Sequence, residues 1–101
     1  MPYNYKVSEE AEEDMYEAYI WYERQKAGLG EEFLESLDRA QQSILQNPVT
    51  YRTRYKKKVR AFLVGRFPYL ILYVLENKNV NVISVFNTGR NPKVWKTRIK
   101  P

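Results

Sequence analysis

The feature that most constrains the fold is the stretch Val59–Phe86, which holds three short apolar runs separated by turn residues. Val59–Val64 and Val80–Phe86 alternate like half-buried strands, and Tyr69–Leu75 is apolar throughout, as expected of a central strand. The polar residues 76–79 fit a four-residue hairpin loop. Because no run exceeds seven residues, strands are favoured over a buried helix. The stretch therefore predicts a three-stranded antiparallel meander.

Strict alternation in the last run also predicts which side chains share a face of the sheet. Val80, Val82 and Phe86 fall on one face, with Ser84 between them, and Val85 falls on the opposite face. The strand should thus contribute Phe86 to the same apolar layer as Val80 and Val82.

Two amphipathic helices are predicted upstream of the meander. After a first strand over Tyr3–Val7, Ser8 is a suitable N-cap and is followed by two glutamates, which favour a helix N-terminus. Helical spacing continues to the break at 28–30, and a second helix is expected from Glu31 to the stop at 47–48. The short break predicts an antiparallel helix hairpin that packs on the sheet. The predicted shared core is Phe33, Leu37, Ile44, Ile71, Tyr73 and Val82.

These elements define an α+β fold: an N-terminal strand, a two-helix antiparallel hairpin and a three-stranded antiparallel meander. The 101 residues are expected to form one domain, 1–101. No run of apolar residues is long enough to span a membrane, and no secretory signal is visible. The chain has no Cys, which suits a cytoplasmic protein.

The charge is divided between the two halves of the chain. Residues 1–50 carry 4 Lys/Arg and 11 Asp/Glu, whereas residues 51–101 carry 13 Lys/Arg and 1 Asp/Glu. Some of this asymmetry can be neutralised within the molecule, but a net charge of +5 remains. Such a basic half predicts a surface for an anionic partner, with nucleic acid first among the candidates.

The segment Thr50–Lys58 is predicted to be a loop in which Tyr51 and Tyr55 alternate with basic residues. Such side chains can neutralise phosphates and stack on bases, although the tyrosines could equally pack back on the helices. In the C-terminal segment, Gly89 and Pro92 indicate a turn, and Trp95 is predicted to anchor this segment by packing.

The ordered set of motifs resembles the RelE/ParE superfamily of bacterial toxin–antitoxin toxins. The resemblance covers nearly the whole chain and is carried by WYERQKAGLGEEFL at 21–34, RFPYLILY at 66–73 and GRNPKVWKTR at 89–98. Shorter similarities lie around Asp14, at 47–48 and at 59–60. The segment FPY before an apolar run, and the closing RNP–W–R, look most like the ParE branch. The chain has Asn87 where ParE-branch relatives frequently have His.

The resemblance implies a growth-inhibiting toxin that a cognate antitoxin holds silent in a hetero-oligomer. A ParE-like toxin would bind DNA gyrase, and this is the favoured expectation. The alternatives are a RelE-like ribosome-dependent mRNA endonuclease and an inactive relative that only binds antitoxin or nucleic acid. No cofactor or membrane is expected. The predicted antitoxin contacts are Met15, Tyr19, Tyr22 and Leu34.

Cleavage of RNA needs a general base, a general acid and cationic stabilisation of the transition state. The chain has no His, so Tyr69 or Lys57 would have to act as the base. Lys56 and Lys58 are equivalent candidates to Lys57 for this role. Without His or Cys, a zinc site is excluded too. Catalysis by the chain itself is therefore not favoured. The candidate catalytic residues are Arg60, Arg66, Arg90, Tyr69 and Lys57. The candidate contacts to a target or nucleic acid are Arg54, Lys56, Lys57, Lys58, Arg60, Arg66, Arg90 and Arg98.

Overall fold

The computed structural model describes residues 3–99, which form one mixed five-stranded sheet, two long helices and a short C-terminal helix. The helices pack on one face of the sheet, and the C-terminal segment packs on the other. Within residues 3–99, no helix is both long and apolar enough to cross a membrane. The elements are β1 Asn4–Val7, α1 Glu9–Gln25, α2 Leu29–Gln46, β2 Thr53–Tyr55, β3 Val59–Leu63, β4 Tyr69–Glu76, β5 Asn79–Asn87 and α3 Lys93–Lys96.

The helix hairpin forms as predicted, but α2 begins at Leu29 and not at Glu31. Ser8 caps α1, because its side-chain oxygen accepts a hydrogen bond from the Ala11 N–H at 3.0 Å. Gly28 has φ 89°, a left-handed conformation that glycine adopts without steric cost. The Glu23 carboxylate accepts hydrogen bonds from the N–H groups of Gly28 and Gly30, each at 3.0 Å. The carboxylate thus satisfies amides that the first turn of α2 leaves unpaired.

The sheet has the strand order β1-β5-β4-β3-β2. Its centre is the predicted antiparallel meander of β3, β4 and β5. β1 adds at one edge, parallel to β5, with Tyr5 opposite Val80. The prediction of a loop over 50–58 is wrong in part, because Thr53–Tyr55 forms β2, antiparallel to β3 at the other edge. A strand of three residues is too short to show an alternating pattern, so only its pairing with β3 defines it.

A bulge in β5 contradicts the predicted positions of Val85 and Phe86. Val82 lies opposite Tyr73, and Ser84 lies opposite Leu72, so one additional residue is inserted in β5 between these pairs. An inserted residue reverses the alternation beyond it. Val85 therefore joins Val82 in the core under the helices, and Phe86 lies in the second apolar cluster on the other face.

The main core contains all six predicted residues, and each is at most 3% exposed. Tyr73 is fully buried, and its hydroxyl donates a hydrogen bond to the Pro48 carbonyl oxygen at 2.7 Å. Burial raises the pKa of Tyr73 to about 12, so the hydroxyl remains a neutral donor at physiological pH. The smaller cluster on the opposite face contains Trp95, which is 6% exposed. The prediction that Trp95 anchors the C-terminal segment is thus confirmed.

Candidate functional site

An ion pair between Asp14 and Arg98 joins α1 to the C-terminal segment. The Asp14 Oδ2 accepts hydrogen bonds from Arg98 Nη1 at 2.8 Å, from the Val85 N–H at 3.0 Å and from Ser84 Oγ at 3.1 Å. Arg98 Nη1 also donates to the Ile83 carbonyl oxygen at 2.9 Å. The hydrogen bond that Arg98 donates to the Asp14 carboxylate raises the pKa of Arg98 above its ordinary value.

This pair satisfies backbone groups at an edge of the sheet that β1 does not cover. β1 pairs with β5 only as far as Val82, so the next part of β5 has no neighbouring strand on that side. The side chains of Asp14 and Arg98 are 18% and 19% exposed, and they supply the missing partners for the Val85 N–H and the Ile83 carbonyl oxygen. Arg98, a candidate target contact, therefore has a structural role.

Two more of the candidate arginines also have partners within the protein. Arg60 Nη1 donates to the carbonyl oxygens of Val49 at 3.2 Å and Tyr51 at 2.6 Å. This arginine thus tethers the chain between α2 and β2. Arg66 pairs with Glu32, but both side chains are largely exposed, so this ion pair stabilises the fold weakly.

A cleft of about 360 Å³ lies between α1, the uncovered edge of β5 and the C-terminal segment. Its lining includes Glu17, Trp21, Tyr69 and Arg90. Arg90 is exposed, and Trp21 is 56% exposed. The sequence did not indicate that the carboxylates of Asp14 and Glu17 lie near cationic residues of the second half. Helical spacing places Asp14, Glu17 and Trp21 on one face of α1, but it does not show which part of the sheet this face meets.

A second charged region is the turn between β2 and β3, which we call the basic hairpin: Tyr55, Lys56, Lys57 and Lys58. The Lys58 N–H donates to the Tyr55 carbonyl oxygen at 2.9 Å and closes the turn. Lys56 and Lys57 have φ values of 53° and 56°, as in a type I′ turn, which usually contains Asn-Gly. A residue other than glycine in this conformation costs about 1–2 kcal/mol. Arg54 is exposed on β2 beside this turn.

The five candidate catalytic residues do not form one site. Tyr69 begins β4 and lies with Arg90 at the cleft, whereas Lys57 lies beyond the other end of β3, where Val59 pairs with Val74. The five residue-to-residue steps from Tyr69 to Val74 span about 17 Å along a strand. Within residues 3–99, no three His, Cys, Asp or Glu side chains lie close enough together to hold a metal ion.

The predicted antitoxin contacts differ in their accessibility. Leu34 is 36% exposed, Met15 and Tyr19 are half-buried, and Tyr22 is only 8% exposed. Tyr22 packs against Phe33, Phe67 and Tyr69 in the core, so we do not count it as part of an outer surface. Tyr16 was not among the predicted contacts, although it is 66% exposed on α1.

A solved structure of a known protein has a similar fold. Among solved structures, a chain of the chromosomal ParDE toxin–antitoxin system from P. aeruginosa superposes with a TM-score of 0.74 and 14% sequence identity. The match covers 84% of this chain and 95% of that chain and shows a shared fold. No curated protein matches significantly.

The sequence of this chain also matches the model of a protein family. The family model of the ParE toxin of type II toxin–antitoxin system, parDE, matches residues 5–92. The protein is thus a toxin of a type II toxin–antitoxin system. More particularly, the chain belongs to the ParE toxin family.

Proposed function

We propose that this toxin inhibits bacterial growth by binding DNA gyrase, without a catalytic reaction of its own. Membership of the ParE family supports the gyrase target. The observation that carries the choice of binding over RNA cleavage is the lack of a histidine in the chain. Of the other candidate bases, Lys57 lies beyond the far end of β3 from the cleft that holds Tyr69 and Arg90. Such a target would place the action of the protein in the cytoplasm.

Arg90 is the cation that we propose for the gyrase contact. It is exposed at the rim of the cleft, and its backbone is held by a hydrogen bond from its own N–H to the Asn87 carbonyl oxygen at 3.0 Å. Neither ion pair found within residues 3–99 includes its guanidinium. Arg90 can therefore form charge-assisted hydrogen bonds to a partner without breaking one in the fold.

The purified protein is expected to inhibit DNA supercoiling by gyrase, and Arg90→Ala is expected to weaken this inhibition roughly 10- to 100-fold. Loss of a well-formed charge-assisted hydrogen bond costs about 1.5–3 kcal/mol, which corresponds to this range. Arg39→Ala is the matched control, because Arg39 is exposed on α2 outside the cleft. Thermal melting of each variant shows whether it is folded.

Primer extension on translated mRNA tests the main alternative. New RNA ends within ribosomal A-site codons, together with undisturbed supercoiling, would replace the gyrase proposal by a RelE-like nuclease. Tyr69 and Lys57 would then be the first candidate bases to substitute. Normal growth during soluble expression of the chain alone would instead favour an inactive relative.

We propose that the neutralising antitoxin places an apolar segment over the outer face of the helix hairpin. Tyr16, Ile20 and Trp21 line a shallow groove on α1, and Leu34 adds apolar surface on α2. Exposed aromatic residues of this kind often contribute most of the binding energy at an interface. Toxin and antitoxin would form a hetero-oligomer through this face.

Tyr16→Ala is expected to reduce neutralisation by the antitoxin, because truncation of a central aromatic contact commonly costs about 2 kcal/mol or more of binding energy. The measurement is growth during co-expression with the antitoxin encoded beside the toxin. Leu63→Ala is the matched control, because Leu63 is an apolar residue that is 53% exposed on β3. Equal rescue of both variants would exclude this part of α1 from the antitoxin interface.

A further inference from the structure

We propose that the basic hairpin, together with Lys96 of α3, binds the phosphate backbone of a nucleic acid. None of these residues lines the cleft that holds Arg90. Three observations support the proposal: the backbone conformation of the turn, the convergence of two lysines on one ring, and the lack of ion pairs to these lysines within residues 3–99.

Two lysines of the turn have a backbone conformation that Asn and Gly adopt more easily. Lys56 and Lys57 both have positive φ, in a turn type that Asn-Gly forms with little strain. Strained conformations of this kind tend to occur at functional sites. Lys56, Lys57 and Lys58 are all exposed at the tip of the hairpin.

The second observation is the convergence of charge from two distant parts of the chain. The Nζ atoms of Lys56 and Lys96 lie 5.5 Å and 4.9 Å from the centroid of the Tyr55 ring. The ring attracts each ammonium group. Two positive charges from distant parts of the chain are thus held around one aromatic ring. Contact of Tyr55 with the buried Trp95, at 5.3 Å between ring centroids, holds the hairpin beside α3.

The third observation is that, among the residues from 3 to 99, no carboxylate forms an ion pair with any of the four lysines. Neither of the two ion pairs found within residues 3–99 involves Lys56, Lys57, Lys58 or Lys96. The acidic half of the chain therefore does not neutralise this region directly. The charges remain available to a ligand.

The residue types favour nucleic acid over an acidic protein. Protein interfaces are depleted in lysine relative to other surfaces, whereas phosphate contacts are commonly made by flexible lysine ammonium groups. Trp95 is buried and cannot stack on a base. The ligand should thus be recognised through its phosphates, with little dependence on base sequence.

Binding is measured by fluorescence anisotropy with the full chain and three labelled probes: duplex DNA, single-stranded DNA and RNA. The three probes share the phosphate chemistry, and the tightest binding identifies its source. If all four lysines contact phosphates, the logarithm of affinity for duplex DNA should fall against the logarithm of salt concentration with a slope of about −3 to −4. Because neither gyrase nor ribosomes are present, failure of the gyrase proposal would not change this result.

The decisive variant combines Lys56→Asn with Lys57→Gly. It is expected to weaken binding about tenfold and to reduce the magnitude of the salt slope by about 2, because two phosphate contacts are lost. The same variant should melt at a higher temperature, because Asn-Gly suits the turn. Lys96→Gln should weaken binding too, whereas Lys26→Gln, in the turn between the helices, should not.

Three results would overturn the proposal. The first is a lack of salt-dependent binding to all three probes. The second is that the double variant and Lys26→Gln have the same affinity and salt slope. The third is that a polyglutamate peptide binds more tightly than every nucleic acid. Because the double variant is expected to be more stable than the natural chain, a loss of binding would not reflect unfolding.

Discussion

Leu37→Ala is expected to lower the free energy of unfolding by about 2–5 kcal/mol, because it removes apolar contacts and leaves a cavity in the main core. Leu37 is 3% exposed on α2, at the interface between the helices and the sheet. The measurement is equilibrium denaturation in urea, with the natural chain and the variant compared at the same pH.

Leu34→Ala provides the matched control, because it makes the same chemical change one helical turn earlier at a residue that is 36% exposed. Its cost should be well below that of Leu37→Ala, since less surface is removed from the core. A cost below about 1 kcal/mol for Leu37→Ala is less than any value typical of a buried leucine. Such a value would contradict the packing of α2 on the sheet.

Asp14→Ala is expected to destabilise the fold by about 3 kcal/mol, the lower end of the range for breaking a buried ion pair. The lower end applies because both side chains retain some exposure, at 18% and 19%. The change removes the acceptor of the Val85 N–H and leaves the Arg98 guanidinium without its carboxylate. Urea denaturation measures the cost, and hydrogen exchange at the Val85 amide should become faster.

Two further variants isolate the effect of this ion pair. Glu13→Ala removes a neighbouring carboxylate that is exposed, and it should change stability little. A double-mutant cycle with Arg98→Ala should show a coupling energy, because the two side chains are in direct contact. If Asp14→Ala costs no more than Glu13→Ala, the pair does not stabilise the edge of β5.

The periodic segments of the chain made the main elements predictable. The alternation of β3 and the helical stripe of α2 each contain enough residues to define a period. The continuous apolar run of β4 is short, which favours a strand over a helix. Phe33, Leu37 and Ile71 were recognisable as core residues because each lies on the apolar face of such a segment, and all three are buried. The resemblance to the ParE branch is confirmed by the family model, which matches residues 5–92.

Features without a local period were not predictable in the same way. β2 has three residues and is defined only by its pairing with β3. The bulge in β5 moves Phe86 away from Val80 and Val82, yet the residues themselves still alternate in a way that suits an unbroken strand. A bulge is a property of two paired strands, so one strand read alone does not specify it.

The sequence by itself determined the α+β architecture, the core face of α2 and the excess of cations in the second half, because these depend on composition and short-range spacing. The tertiary structure decided which cations are available to a partner. Arg98 pairs with Asp14 across a sequence separation of 84 residues, and Arg60 donates to the Tyr51 carbonyl oxygen across a separation of 9. By contrast, Lys56 and Lys96 both lie beside the Tyr55 ring, and neither forms an ion pair within residues 3–99. The charge of each residue is fixed by its type, but its partners are fixed only when distant segments pack together.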